Sequence, residues 1–492
     1  MDASILSGLA AVQSAPKESS SEELFRTLSA PAKAVPRTYP GAPQRESFDL
    51  DRISPRDGRQ SDTAAPNAEE DVEMSRPSSP DAGSEAVEAV PTVWNPFMNR
   101  FRLFFTCLAN FGNALSDGAA GALIPYMETY YGIGYGVVSL IFVGQAIGFI
   151  TAAVFLDVLR AKLGRGKLLG LSQALVTLAY IPIICGAPFP VVVFSFFFIG
   201  FSGSVTVAIA NLFCGGLQRG TFMLGLLHGS YGIGGTVGPL IATALVTAAN
   251  TVWTRYYILT CAVGVCTFAM GMWSFWRYEK ELSPAARQKE TAEAGESMMN
   301  SMLMALKMRI VLLGSIFIFT YQGAEVSISG WVISFLINAR DGDPGSVGYV
   351  TAGFWAGITI GRFLLSAPAH RIGEKRLVYG LILGAMAFEL LVWFVPSIVG
   401  NAVAVSIVGL LLGPIYPCAA AVFMRGMSRR EALSGMGTIS ACGSAGGAVA
   451  PFITGLLAQA VGTFVLHPIV IFLFGVMLLC WYFLPAEEKR TE

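Results

Sequence analysis

The sequence is short of charge. Only 13% of its 492 residues are Asp, Glu, Lys or Arg, where a soluble globular chain carries about 25%. The shortage is uneven. Residues 1–93 hold 9 basic and 16 acidic groups, net −7, and the other 399 residues hold 24 basic and 17 acidic groups, net +7. That remainder has too few charges to coat a soluble body of its size, which disfavours a soluble enzyme and a nucleic-acid binder together. Histidine is scarcer still, with three in the chain. None shares metal-ligand spacing with the eight cysteines (107, 185, 214, 261, 266, 418, 442 and 480). A metal centre and a disulfide scaffold are therefore unsupported, no cofactor is expected, and the cysteines read as small, buried, unpaired hydrophobes. A phosphate-binding loop is missing too: the glycines between 225 and 235 lie in an apolar stretch, without a preceding strand or a GK[ST]. With no nucleophile–base constellation visible, an enzyme is the least favoured class.

What the sequence has is apolar length. Residues 1–93 are rich in Ser, Pro, Ala and acid and read as a disordered acidic tail, unable to bury enough surface to offset ordering entropy. From Phe101 onward, stretches of 20–29 residues alternate with short polar joints, and about 20 apolar residues let a helix cross a bilayer. Twelve are expected, at 101–127, 135–157, 167–186, 188–214, 221–248, 256–276, 310–338, 346–366, 375–395, 398–424, 433–460 and 465–484. Lys and Arg crowd alternate joints, from Arg100 and Arg102 to Lys489 and Arg490, and the opposite joints carry only Arg255 and Arg340. The bias of basic residues toward the cytosol then places both termini there. The expected organisation is a tail (1–93), a first six-helix bundle (94–276), a cytosolic linker (277–309), a second six-helix bundle (310–484) and a short cytosolic tail (485–492). The segment 298–310 reads as an amphipathic, membrane-surface helix.

The two halves echo each other. Gly144 and Gly148 in span two are spaced like Gly357 and Gly361 in span eight. The loops that follow read GRGKLLG (164–170) and GEKRLVYG (373–380). GIGGTVGPLIA (232–242) parallels SAGGAVAPFIT (444–454) at a constant offset of 212. Three matches in one order indicate a duplicated unit, a common feature of secondary transporters.

This layout, with its GRGK loop after span two, resembles the major facilitator superfamily. The first-span run FGNALSDGAAGALIPYMETYYGI, the HGSYGIGGTVGP of span five and the YQGAEVSISGW of span seven are similar to its fucose-permease-like branch, especially the fungal "bypass of stop codon" membrane proteins. The resemblance covers about residues 100–485. It implies an all-α membrane protein of twelve transmembrane helices in two pseudo-symmetric six-helix bundles. It also implies a central cavity lined mainly by spans one, four, seven and ten, and a cytosolic charge latch. Asp157, Gly164, Arg165 and Lys167 match that latch in the first half, with Arg362 and Arg371 in the related place of the second. The chain departs from the fucose permease pattern by having Asp117 in span one but no acid in span four, so that pattern's proton mechanism does not transfer directly.

Ionisable groups near the bilayer midplane are costly and invite a functional explanation. Asp117 and Glu325 lie near mid-span in the equivalent spans one and seven. At 100° per residue Asn110, Asn113, Asp117 and Gly121 share one face, as do Gln322, Glu325 and Ser329. Such stripes suit a hydroxylated solute, because carboxylates and amides exchange hydrogen bonds with hydroxyls; structural helix–helix bonding is the competing reading. Gln145, His228 and Trp331 are further cavity candidates, each with packing as the alternative. Glu389 reads as one member of a local structural pair. The leading expectation is a monomeric secondary transporter of a small polar solute, a sugar before others, coupled to protons, in the plasma membrane or an internal one. An exporter of drugs or metabolites, and a non-transporting sensor signalling through the acidic tail, are the alternatives. Besides lipid, solute and proton, no partner is expected.

Overall fold

In a bilayer every backbone N–H and C=O must be paired within the chain, and a long apolar segment does so by coiling into a helix. The computed structural model describes residues 91–281, 304–365 and 372–484, and follows that rule throughout. Twelve long helices run in chain order: α1 (Asn99–Tyr131), α2 and α3, α4 (Phe189–Gly215), α5 (Gly220–Thr247), α6 (Tyr256–Phe275), α7 (Arg309–Arg340), α8 (Val350–Leu364), α9 (Glu374–Phe394), α10, α11 (Arg429–Val461) and α12 (Leu466–Phe483). The helices α2 and α3 form one hydrogen-bonded stretch, Leu140–Ile184, which turns at Gly164 with φ of 75°. A side chain there would strain that left-handed backbone, which explains the glycine in the GRGK loop. The helix α10 comprises Ile398–Leu412 and Ile415–Arg425.

Nine of the described helical stretches are both long and apolar enough to cross a membrane. The three that fall short are informative. The helix α1 carries Asn110, Asn113 and Asp117, α5 is glycine-rich with His228 and Tyr231, and α8 has only 15 residues. All three contribute to the centre of the molecule.

Within the first bundle α1 packs on α5, and the α2–α3 arm packs on α4 and α6; within the second, α7 packs on α11 and α12 and α8 on α10. The bundles meet along α5–α8, α2–α11 and α1–α7. The chain enters α1 and leaves α12 at one end, here called the terminal face. At the far face the bundles are joined by packing. The Trp331 ring lies against Tyr135 and Phe142, at 5.6 and 6.4 Å between centroids. Gly121 abuts the Ser329 carbonyl, and Gly455 meets Ser139 and Trp331. One buried apolar cluster runs across both bundles there, and the terminal end of the first bundle has a separate core around Phe105, Phe213 and Phe275.

One expectation needs adjustment. The cysteines are unpaired, but Cys185 and Cys266 are exposed rather than buried, where lipid serves an apolar thiol as well as a core does. Among the prolines, Pro414 lies at the interruption of α10, and Pro239 and Pro451 sit inside continuous helices. Neighbouring helices can take up the carbonyl a proline frees; for Pro239 that is the carbonyl of Gly235, which faces Gly118 of α1. Finally, the expected tail, linker and C-terminal segment, and the helix at 298–310, fall largely outside the described residues.

Candidate functional site

Asp117 sits midway along α1, half-buried, and receives two donors. The Gln145 side-chain amide of α2 donates to its Oδ1 at 2.6 Å, and the Tyr231 hydroxyl of α5 donates to its Oδ2 at 2.7 Å. Both bonds are charge-assisted when the carboxylate is ionised, the strong class of hydrogen bond. Three helices of the first bundle thus converge on one carboxylate.

Glu325 occupies the equivalent place on α7 and is 8% exposed. Its surroundings differ. Arg362 of α8 acts on it electrostatically without forming an ion pair, the Tyr321 hydroxyl, one helical turn away on α7, neighbours both groups, and Glu325 Oε2 is buried with no hydrogen-bond partner among the described residues. The same hydroxyl donates to the Leu412 carbonyl at 3.3 Å. Tyr231 closes the gap between the two clusters. It feels Glu325 and Arg362 as well as Asp117, and its ring lies 5.9 Å from that of Trp355 on α8, edge to face. His228, one turn nearer the terminal face, is exposed and feels the Arg362 charge.

The remaining candidates divide. Asn113 is half-buried and its amide nitrogen has no hydrogen-bond partner among the described residues. Asn110 is spent on packing, donating to the Leu227 carbonyl of α5 at 2.8 Å. Gln322 points at Gly443 on α11. Ser329 bonds back to Val326 in its own helix, and its carbonyl meets Gly121 across the bundles. Trp331 is 1% exposed and donates its Nε1 hydrogen to the Pro451 carbonyl at 2.9 Å. In this conformation it fills the far-face contact and lines no open space.

The latch residues also separate. Gly164 makes the α2–α3 turn, and Lys167 is exposed. Arg165 is buried, its backbone N–H donating to Glu279 Oε1 at 2.7 Å and its Nη1 to the Tyr278 hydroxyl at 3.1 Å. Arg102 reaches the same segment, pairing with Glu281 at 2.7 Å. These arginines hold the chain that leaves α6. Arg362, matched to the latch by sequence, acts electrostatically on Glu325 without an ion pair between them. Arg371 and the Asp157 side chain lie outside the described residues. Glu389, read as a structural pair, bonds His467 at 2.7 Å with both side chains 1% exposed.

Tyr231, Tyr321 and Trp355 went unmarked by sequence reasoning. Tyr321 had a local signal, since it lies one turn from Glu325 on the same face. The other two had none, because nothing along the chain pairs α5 with α1 or with α8.

Several known proteins resemble this chain in sequence or fold. The chain is 25% identical over 392 residues to Bypass of stop codon protein 6 of Saccharomyces cerevisiae, covering 71% of this chain and 75% of that one. It is 30% identical over 167 residues to a glucose/galactose transporter of Brucella abortus, covering 32% and 38%. Among solved structures, the E. coli fucose:proton symporter FucP aligns with a TM-score of 0.56 at 15% identity, over 78% of this chain and 98% of that chain. The nucleoside transporter NupG aligns with a TM-score of 0.60 at 13% identity, with the same coverage. The sequence profile of the Major Facilitator Superfamily matches residues 106–432 and 326–492. With twelve helices in two bundles around a polar centre and that profile over most of its length, the chain belongs to the major facilitator superfamily of membrane transporters.

Proposed function

We propose that the protein is a proton-coupled secondary carrier of a small polyhydroxyl solute, a sugar or a close relative, that works by alternating access. The observation that carries this reading is Asp117, held midway along α1 by Gln145 and by Tyr231, which itself feels Glu325 and Arg362 of the other bundle. Buried carboxylates, amides and phenols are what a solute of many hydroxyls pairs with, and an apolar drug would leave them unmatched. The names of the glucose/galactose transporter and the fucose:proton symporter point the same way. The bundles 94–276 and 310–484 are the two rocking bodies of the reading, acting within one monomer. Both termini are assigned to the cytosol and the protein to the plasma membrane. On that assignment the far-face packing makes this conformation closed to the outside, with the exposed His228 on the cytosolic approach.

Asp117 is the proton site of this proposal. Its carboxyl exchanges neutral donors for solvent as the bundles rock, and so loads and releases one proton per cycle. The test is transport by Asp117→Asn in proteoliposomes. Accumulation driven by a pH gradient is expected to vanish while counterflow exchange of the solute remains measurable. Uphill transport by that variant at the wild-type level would end the proton assignment.

A further inference from the structure

The hydroxyl and the ring of Tyr231 belong to different contacts. The hydroxyl bonds Asp117 inside the first bundle, at 2.7 Å. The ring lies edge to face on Trp355 of the second bundle. That contact is one rung of a seam in which small residues of α5 meet side chains of α8: Gly229 the Phe363 ring, Gly232 the Thr359 side chain and Gly235 the Trp355 indole. The phenol oxygen lies on the long axis of the ring, so it can move away from Asp117 only if the whole side chain swings and carries the ring with it.

We propose that Tyr231 is a positioning residue that ties the state of Asp117 to the α5–α8 seam, so that loading the carboxylate is felt where the bundles touch. It rests on Asp117 being the proton site of the carrier reading. Ionised Asp117 accepts from Gln145 and Tyr231 together. A proton arriving from solvent binds Oδ2 and makes it a donor and a poorer acceptor; Tyr231 keeps its own proton, its charge-assisted bond is lost, and the released side chain swings with its ring against Trp355. The Trp355 Nε1–H has no partner of its own among the described residues, so no hydrogen bond fixes the indole against that turn.

The groups that bear on this switch come from several helices. Besides Tyr231, the phenols of Tyr180 on α3 and of Tyr256 and Tyr257 on α6 feel the Asp117 charge. Glu325 and Arg362 face Tyr231 from the second bundle, and His228 lies beside Arg362. The phenols stay neutral near neutrality. Glu325 and His228 can titrate, so the test separates them from Asp117.

Spin labels at the exposed positions Phe222 of α5 and Leu364 of α8, in the full chain with its native cysteines replaced and reconstituted in nanodiscs, report the seam by pulsed dipolar spectroscopy. No solute is added, so a missing sugar flux would leave this result standing. The distance distribution is expected to shift as the sample is acidified. Asp117→Asn should hold it at the acid limit, and Tyr231→Phe, which keeps the ring and removes the hydroxyl, should abolish the shift. Trp355→Leu should abolish it too while leaving the Asp117–Tyr231 bond, which keeps the test open if one variant folds poorly. His228→Gln and Glu325→Gln controls should still respond to pH. A Tyr231→Phe curve that overlays the wild type, or a wild-type distribution indifferent to pH, would overturn the proposal.

Discussion

Asp117 and Glu325 stand on equivalent helices, yet their neighbours divide their work. Asp117 is held by two neutral donors, whereas Glu325 has a guanidinium for company. Glu325 Oε2 is buried with no hydrogen-bond partner among the described residues, so the Arg362 charge compensates it through space and not by a direct ion pair. Arg362→Ala should therefore lose about 1–3 kcal/mol of stability, and adding Glu325→Gln should return part of it. Thermal unfolding in detergent reads both variants, and an additive double mutant would deny the coupling. The Glu389–His467 pair is purely internal, with each side chain 1% exposed. His467→Ala is expected to cost about 3 kcal/mol and to leave the KM for solute where it was; a changed KM at unchanged stability would bring the pair into the site. The carboxylates were legible in the sequence because a charge in mid-span needs a reason. Of the neighbours only Gln145 was marked as a cavity candidate. A phenol in an apolar helix leaves no periodic trace, and the family resemblance set Arg362 in the latch.

At the scale of helices, glycines do two different things. Inside a bundle they bring backbone to backbone. A methyl group added at Gly148 would strike the Phe197 carbonyl, at Gly200 that of Gln145, at Gly357 that of Ser406 and at Gly409 that of Phe354. The pairs α2–α4 and α8–α10 thus repeat one joint, and the repeated glycine spacing of spans two and eight is its sequence trace. Along the α5–α8 seam the glycines meet side chains, which can rotate or withdraw. The α5–α8 seam is thus softer than the α2–α4 and α8–α10 joints, whereas the α1–α7 contact between the bundles, where Gly121 meets the Ser329 carbonyl, is as close as either joint. Gly357→Val should cost about 1–3 kcal/mol by overpacking, and Gly148→Val about the same. Gly232→Ala should stay within about 1 kcal/mol while changing turnover, so unfolding and flux measured side by side separate the two classes. Helix positions could be read closely because apolar runs end where helices end. Which ridge faces which helix could not, since spacing records a small face without recording its partner.

At the scale of the molecule, the neutral total of 33 basic and 33 acidic residues is an average over an acidic tail and a basic, apolar membrane body. In the carrier reading the tail is dispensable for flux. Deleting residues 1–93 should leave the uptake rate of reconstituted protein within about twofold, and loss of a signalling output with intact structure would favour a sensor instead. In the carrier reading the basic joints at the terminal face place both termini in the cytosol by the positional bias of Lys and Arg. On that reading a protease-accessible tag at either end should be cut only after the plasma membrane is opened. The most direct measurement is uptake by purified protein in proteoliposomes, across a panel of neutral sugars, sugar acids, nucleosides and apolar drugs, with and without an imposed pH gradient. The account predicts saturable uptake of at least one neutral sugar, driven uphill by an inward proton gradient. Transport confined to apolar drugs, or no sugar flux under any gradient, would contradict it.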